Sequence, residues 1–168
     1  MKYIITPNPS VPNNLRQISL PYNSQSRTFE SEDAMVDHVI ARNKATGLIG
    51  ADAPHYVVDE SALPGDHYFF DAWEWVDGAV AVNMAKARVI HMDKIRISRN
   101  RELAAKDITF MRAVEDSDTA AQSAITTEKQ TLRDIPANFD ITTGVDTPEQ
   151  LKAKWPDGLP TIPDPKLG

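Results

Sequence analysis

Histidine and carboxylate side chains are the groups in this sequence whose types could support metal binding or acid–base chemistry. The four histidines are His38, His55, His67 and His91. No two of them have the i, i+4 spacing that brings two imidazoles to one face of a helix. His67 lies near Asp66 and Asp71, a conceivable metal cluster, but acidic residues at such turns more often cap and solvate the backbone. The sequence therefore predicts no metal site and no cofactor.

Nucleophilic catalysis has no sequence support either. The chain has no cysteine, which excludes disulfides, thiolate chemistry and cysteine zinc sites. It contains no glycine-rich phosphate loop and no Gly-x-Ser-x-Gly segment. Carboxylates are plentiful, but spacing in a single sequence does not place two of them across a substrate. We expect a protein that is not an enzyme.

The composition is that of a soluble globular protein with one small domain, alone or with an extension. Of the 168 residues, 41% are hydrophobic and 25% are charged. The net charge of -6 gives no general attraction to nucleic acid or to an anionic membrane. Residues 1–7 lack the apolar stretch of a signal peptide, and no window approaches the ~20 apolar residues of a spanning helix. We expect synthesis and folding in the cytoplasm.

The secondary-structure signals in the sequence predict an α+β fold in three parts. A small mixed α/β region with an antiparallel hairpin covers residues 1–82. A hairpin of two long helices covers residues 83–136. An irregular proline-rich tail with one short helix covers residues 137–168.

In the first part, Ser31 is suited to cap the start of a helix and Gly47 to end it. The Asp77–Gly78 pair between two β-rich runs is a strong hairpin signal. Trp73 and Trp75 alternate on a strand and share a face, where we expect them to pack under the helices, with an aromatic contact as the alternative. The predicted strands are 3–5, 17–20, 55–58, an aromatic run within 68–76, and 79–82.

The second part begins with a helix from Asn83 to about Val114. A polar break leads to a second helix from about Thr119 to Asp134, which Pro136 is expected to end. The tail contains a capped short helix over 147–151, with proline at its first position.

Winding residues 83–114 at 3.6 residues per turn places the apolar side chains in two bands. The wider band is predicted to face the core or the second helix, and it holds Ala85, Val89, Ile90, Ile97, Leu103, Ala104, Ile108, Met111 and Val114. The opposite side carries Met92, Ile95 and Phe110 within a basic surface. A monomer in water has little reason to expose such a strip, so we interpret it as a contact face for another chain. In the alternative interpretation, both bands are core.

The segment from Lys86 to Lys106 is the basic part of an acidic chain. Nucleic-acid binding would need exposed aromatic side chains or a known reading motif, and neither is evident. We interpret the basic residues as a solvated or ion-paired helix face. Trp155 is a different signal, because a tryptophan in a polar tail usually docks into a groove on its own domain or on a partner.

Three segments carry a family resemblance: 100–103 (Asn-Arg-Glu-Leu), 132–136 (Leu-Arg-Asp-Ile-Pro) and 155–160 (Trp-Pro-Asp-Gly-Leu-Pro). In this order and spacing they resemble the carboxyl-terminal part of phage tail assembly chaperones and tail-fibre assembly proteins. Upstream, 58–64 and 70–73 resemble a Leu-Pro turn and an aromatic strand ending in Ala-Trp in prophage proteins of this type. The resemblance covers roughly residues 55–160.

The resemblance implies a non-enzymatic protein that binds a tail fibre or baseplate protein and assists its assembly in the host cytoplasm. It leaves open a permanent component of the virion tail, self-association into a homo-oligomer and, as a weaker third class, a tail-associated hydrolase. Under the leading hypothesis, the predicted partner-binding residues are Arg88, Met92, Ile95, Arg99, Phe110 and Trp155.

Overall fold

The computed structural model describes residues 2–20, 29–65 and 67–162, and it divides the chain into two compact units, Met1–Asn83 and Met84–Gly168. Strands occur in the first unit and long helices in the second, so the predicted α+β class is confirmed. The predictions for Asp66 and for the end of the proline-rich tail lie outside the described residues.

The first unit is built around strand β1 (Lys2–Pro7), the middle strand of a three-stranded antiparallel sheet. Its neighbours are β2 (Leu15–Ser19) and β3 (Tyr56–Asp59). Successive side chains of a strand point to opposite faces of the sheet. Ile4 and Ile5 are therefore both fully buried, each in a different layer.

The layer on the Ile4 side contains helix α1 (Glu32–Ala45). The Ser31 side chain accepts a hydrogen bond from the Ala34 N–H at 3.1 Å, and Gly47 adopts the left-handed conformation that follows the helix. Both predicted ends are therefore confirmed within two residues. The side chains that close this layer around Ile4 are Leu20, Val39 and Ile49.

The layer on the Ile5 side contains the hairpin of β4 (Trp73–Val76) and β5 (Ala79–Val82). Asp77 and Gly78 have φ of 50° and 84°, which is the geometry of a type I′ turn, so the predicted hairpin is confirmed. Trp73 is fully buried against Ile5, and Trp75 stacks on Tyr56 with ring centroids 3.9 Å apart. These contacts are with strand residues, so the expectation of packing under helices was wrong.

The second unit begins with the helical hairpin of α2 (Met84–Glu115) and α3 (Thr119–Asn138). Between the helices, Ser117 takes a left-handed conformation, and the Asp118 carboxylate accepts a hydrogen bond from the Ala121 N–H at 2.9 Å. The predicted polar break is confirmed, and Asp118 caps the helix that follows it.

Pro136 does not end the second helix, contrary to the prediction, because α3 continues to Asn138. A proline inside a helix removes one donor to the carbonyl four residues earlier. That loss is confined to the last turn here, and the Phe139 N–H closes the helix by donating to the Ile135 carbonyl at 2.8 Å.

The tail contains helix α4 (Pro148–Ala153), which has the predicted capping residue and first-position proline. The Thr147 side chain accepts from the Gln150 N–H, and the Gln150 side chain accepts from the Thr147 N–H. Just before this helix, the Thr142 hydroxyl, the Thr143 N–H and the Thr142 N–H bond the Asp140 carboxylate, which holds the pKa of Asp140 well below its ordinary value.

Candidate protein-binding surface

The two sides of α2 differ in what covers them. One side, here called the inward face, packs against the tail and α3 of the same unit, and its buried residues are Ala87, His91, Ile95, Ser98 and Ala113. The other side, here called the outward face, carries Val89, Ile97, Ala104, Ile108, Met111 and Val114. These faces decide which residues are free to bind another protein.

Three polar side chains of the inward face form hydrogen bonds with backbone carbonyls of the tail. Arg88 donates to the Val145 carbonyl at 2.9 Å, and the Ser98 hydroxyl donates to the Pro160 carbonyl at 2.5 Å. His91 Nε2 lies 2.7 Å from the Lys154 carbonyl. The acceptors lie 57 to 63 residues later in the sequence, so these bonds bind the tail along the first half of α2.

His91 is fully buried, and its environment fixes its proton. A carbonyl oxygen only accepts, so Nε2 carries the hydrogen in the bond to Lys154. Burial lowers the pKa of His91 below its ordinary value because it penalises the charged ring, and nearby Lys94 acts in the same direction. The hydrogen bond to Lys154 opposes that shift without reversing it. His91 is therefore a neutral structural donor at pH 7.

Trp155 docks onto its own unit. Its ring meets the His91 ring edge-on with centroids 5.5 Å apart, and its Nε1–H donates to the Leu159 carbonyl at 2.8 Å. Of the two docking modes that the sequence left open, the groove on the protein's own domain is the one observed. A role for Trp155 in binding a partner stays a prediction.

The second half of the inward face packs against α3. The Lys129 ammonium lies 5.4 Å from the centre of the Phe110 ring and also pairs with Asp107. The Gln122 side chain donates to the Ala113 carbonyl at 3.1 Å. Phe110 is thus half-buried between the two helices of its own hairpin.

The structure places the predicted partner-binding residues on or beside the inward face. Ile95 is fully buried, so the expectation that it lies on an exposed strip was wrong. Met92 and Phe110 are half-buried. Arg99 donates to the Arg133 carbonyl at 3.5 Å, at the limit of a hydrogen bond. The physical reason is that the tail covers this side, and sequence periodicity does not reveal a segment that returns from some 60 residues away.

The outward face was predicted to be core and is instead accessible to solvent. Val89, Ile97, Ile108, Met111 and Val114 are each between 43% and 61% exposed. Ala85 and Ala104 are exposed as well, and only Ile90 and Leu103 of the predicted band are half-buried. The prediction that this wider band faces the core or the second helix was wrong, because α3 packs on the opposite side.

Charged residues border the outward face. Arg96 and Asp93 pair at 2.7 Å, as their i, i+3 spacing suggests. Arg101 and Arg112 are exposed and form no ion pair with any residue in the described parts of the chain. An apolar stripe with unneutralised guanidinium groups at its edge can bind a protein surface that offers apolar side chains and carboxylates.

Within residues 2–20, 29–65 and 67–162, no group of three or more histidine, aspartate and glutamate side chains could hold a metal ion. His67 Nε2 lies 3.0 Å from the Gln17 side-chain oxygen, and its ring packs beside Phe70 and Trp73. No helix in these ranges has the length and apolar character needed to cross a membrane.

One sequence signal could have identified the inward face. His91, Ile95 and Ser98 recur at helical spacing, and a polar side chain on a buried helix face needs a hydrogen-bond partner, which a distant segment can supply. Counting apolar residues alone ignores that possibility, and it led to the prediction that the more apolar side of α2 faces the core.

Comparison with known proteins found no matching family model, no matching curated protein and no matching solved structure.

Proposed function

We propose that this chain is a non-enzymatic bacteriophage tail protein that binds the tail fibre or its attachment region and assists its folding and assembly. The observation that carries the proposal is the outward face of α2, where Ile97, Ile108 and Met111 stand about half-exposed on a single side of one long helix. Single exposed apolar residues are ordinary, but several large ones on the same side of a helix indicate a surface that another molecule covers.

The physical argument for assembly is that a fibre exposes apolar surface before its chains have associated. Covering such surface blocks wrong association during folding. Each square ångström of apolar surface removed from water contributes roughly 25 cal/mol, so covering the exposed apolar side chains of the outward face favours binding. Arg101 and Arg112 would add selectivity for a partner with carboxylates beside its apolar patch.

The residues behind the family resemblance support the proposal in a specific way. Residues 132–136 lie at the end of α3, and the Arg133 carbonyl accepts from Arg99. Residues 155–160 contain the buried Pro156 and Leu159, together with the Ser98 acceptor at Pro160. These two segments close the second unit, whereas residues 100–103 lie on α2 and include the exposed Arg101 at the edge of the outward face.

The experiment is co-expression of this chain with the tail-fibre protein encoded beside it, followed by gel filtration. We expect a stable complex, and we expect the double variant Ile97→Asp/Met111→Asp to lose it. Val57→Asp is the matched control, because Val57 is 42% exposed but lies on β3 in the other unit. A fibre that is soluble and trimeric alone, with no complex surviving gel filtration, would refute the proposal.

A permanent component of the virion tail would use the same surface. Mass spectrometry of purified particles separates the two possibilities. A chaperone is absent from the finished particle or present below the fibre's stoichiometry, whereas a structural adaptor is present in a fixed ratio to it.

A further inference from the structure

The three-stranded sheet of the first unit has an open edge at strand β3. In the order β2–β1–β3, one side of β3 pairs with β1, and no strand in the described parts of the chain pairs with its other side. The other edge strand, β2, lies beside β4. An open edge presents backbone N–H and C=O groups to which a further strand can bind. The sheet can therefore be extended at β3.

The hydrogen bonds of β1 show which backbone groups of β3 face this open edge. The Leu20 N–H donates to the Lys2 carbonyl at 3.1 Å, so the even-numbered residues of β1 bond to β2 and the odd-numbered ones to β3. The odd-numbered residues of β1 lie opposite Tyr56 and Val58. The backbone groups of Val57, between these two, consequently point outward from the sheet.

We propose that a second copy of this chain binds this edge, β3 against β3, with the two strands antiparallel and centred on Val57. Turning one copy about a two-fold axis at Val57 sets His55 opposite Asp59 and Tyr56 opposite Val58. An imidazole can donate a hydrogen bond to a carboxylate, and an aromatic side chain opposite a β-branched one is a favourable cross-strand pair. Each pair occurs twice, as the symmetry of two identical copies requires. This self-complementarity is what selects a second copy.

The two polar side chains of this pairing are available for it. Lys2 lies opposite Asp59 on β1, but the Lys2 ammonium pairs with Glu32. His55 and Asp59 are both exposed, and neither forms an ion pair within residues 2–20, 29–65 and 67–162. Slipping the register by two residues would set Val57 opposite one of these polar side chains and separate His55 from the carboxylate. The side chains therefore favour one register.

Both faces of the extended sheet gain apolar contacts. On the Ile4 side, Val57 is 42% exposed in the single chain and would meet its own copy. On the other side, Tyr56 and Val58 are half-buried, and Tyr56 stacks on Trp75. Pairing continues this apolar layer from one copy into the next. Because β3 has only four residues, we expect a weak pair that dissociates on dilution.

The pair does not rest on the proposed function, because β3 belongs to the first unit and the outward face of α2 to the second. A chain that stays monomeric and still binds the fibre would refute the pair alone. A dimer that never binds the fibre would refute the proposed function alone.

The first test is sedimentation equilibrium of the full chain across a range of concentrations, where we expect a dimer of twice the 18.6 kDa chain mass. Val57→Pro removes an N–H that points outward, so it should keep the bonds to β1 and the circular dichroism of the wild type. It should raise the dissociation constant at least ~10-fold. The matched Val57→Thr variant keeps the N–H and should stay dimeric. A wild-type chain that is monomeric at every concentration overturns the proposal, as does a Val57→Pro dimer as tight as that of Val57→Thr.

The second test changes the charge opposite Asp59 at an exposed position that no strand hydrogen bond within the chain requires. His55→Lys should keep the dimer, whereas His55→Asp sets two carboxylates together. The two dissociation constants should differ roughly 2- to 30-fold, because the contact occurs twice in the pair. The same two substitutions at the exposed His38 on α1 control for net charge and should give equal constants. Equal constants for the His55 variants would overturn the proposal.

The third test measures the register by cysteine cross-linking, since the chain has no native cysteine. Directly opposite residues of a hydrogen-bonded antiparallel pair have Cα atoms roughly 5.5 Å apart, within disulfide reach. Val57→Cys should therefore form a disulfide dimer. The two copies of residue 59 would lie roughly 14 Å apart along the strands, so Asp59→Cys should not. Disulfide formation by Asp59→Cys as fast as by Val57→Cys would show a parallel pair or another register and overturn the proposal.

Discussion

The inward and outward faces lie on the same helix, α2, but polar side chains are buried on the first and large apolar side chains are exposed on the second. The inward face buries His91 and Ser98, and Arg88 beside them donates a hydrogen bond to the Val145 carbonyl of the tail. The outward face leaves Ile108 and Met111 more than half-exposed. A helix side is buried by what packs on it, and here the packing element is a tail whose backbone carbonyls need donors. Donors such as His91 and Ser98 are therefore buried on the inward face, while the apolar side chains of the outward face stay exposed.

The assignment of the two faces is tested most strongly by two isoleucines that lie two positions apart in α2. Ile95→Ala should cost about 2–5 kcal/mol of unfolding free energy for the second unit, because Ile95 is fully buried and its loss leaves a cavity. Ile97→Ala should change it by less than about 0.5 kcal/mol, because Ile97 is 48% exposed. Urea unfolding followed by circular dichroism measures both, at a protein concentration low enough to exclude self-association. Equal costs would contradict the assignment of the faces.

A smaller effect is expected from the bond between Ser98 and Pro160. Ser98→Ala removes a 2.5 Å hydrogen bond that ties the end of the tail to α2, and it should cost about 0.5–1.5 kcal/mol. Ser123→Ala is the matched control, because Ser123 is exposed on α3 and should change the unfolding free energy little. The same urea titration detects the difference. A Ser98 variant as stable as its control would mean that the tail does not depend on this bond.

The smallest predicted effect is a pH dependence set by His91. Its pKa is lowered in the folded chain, so the unfolded chain takes up the proton first as the pH falls below the ordinary value of 6.5. The stabilising effect of a neutral His91 is thus complete above pH 6.5 and is lost progressively below it. Unfolding titrations between pH 7.5 and 5.5 should show a steeper loss of stability in the wild type than in His91→Gln. Parallel pH profiles would exclude His91 as the titrating group.

Local signals in the sequence were sufficient for most of the secondary structure. The Ser31 cap, the polar break before Thr119 and the Asp77–Gly78 turn each depend on residues within a few positions, and all three were predicted. The faces of α2 were not, because the residue that contacts Ser98 is 62 positions away. The prediction for Pro136 was wrong for a local reason: a proline close to a helix end removes only one backbone hydrogen bond.

The candidate surface also depends on long-range packing that the sequence does not show. That α2 carries a partner surface was inferred from its apolar residues, and the proposal keeps that inference. The residues first assigned to the surface, Ile95 above all, lie on the side that the tail covers. Composition identified the helix, and only the tertiary packing identified which side remains open.

Methionine oxidation tests the central claim most directly, because α2 carries Met92 beside the inward face and Met111 on the outward face. Hydroxyl-radical footprinting with mass spectrometry would compare their oxidation rates in the dilute chain and after addition of the fibre protein. We predict that Met111 oxidises faster than Met92 in the free chain and becomes protected on binding, while the rate of Met92 stays unchanged. Protection of Met92 with no change at Met111 would contradict the account.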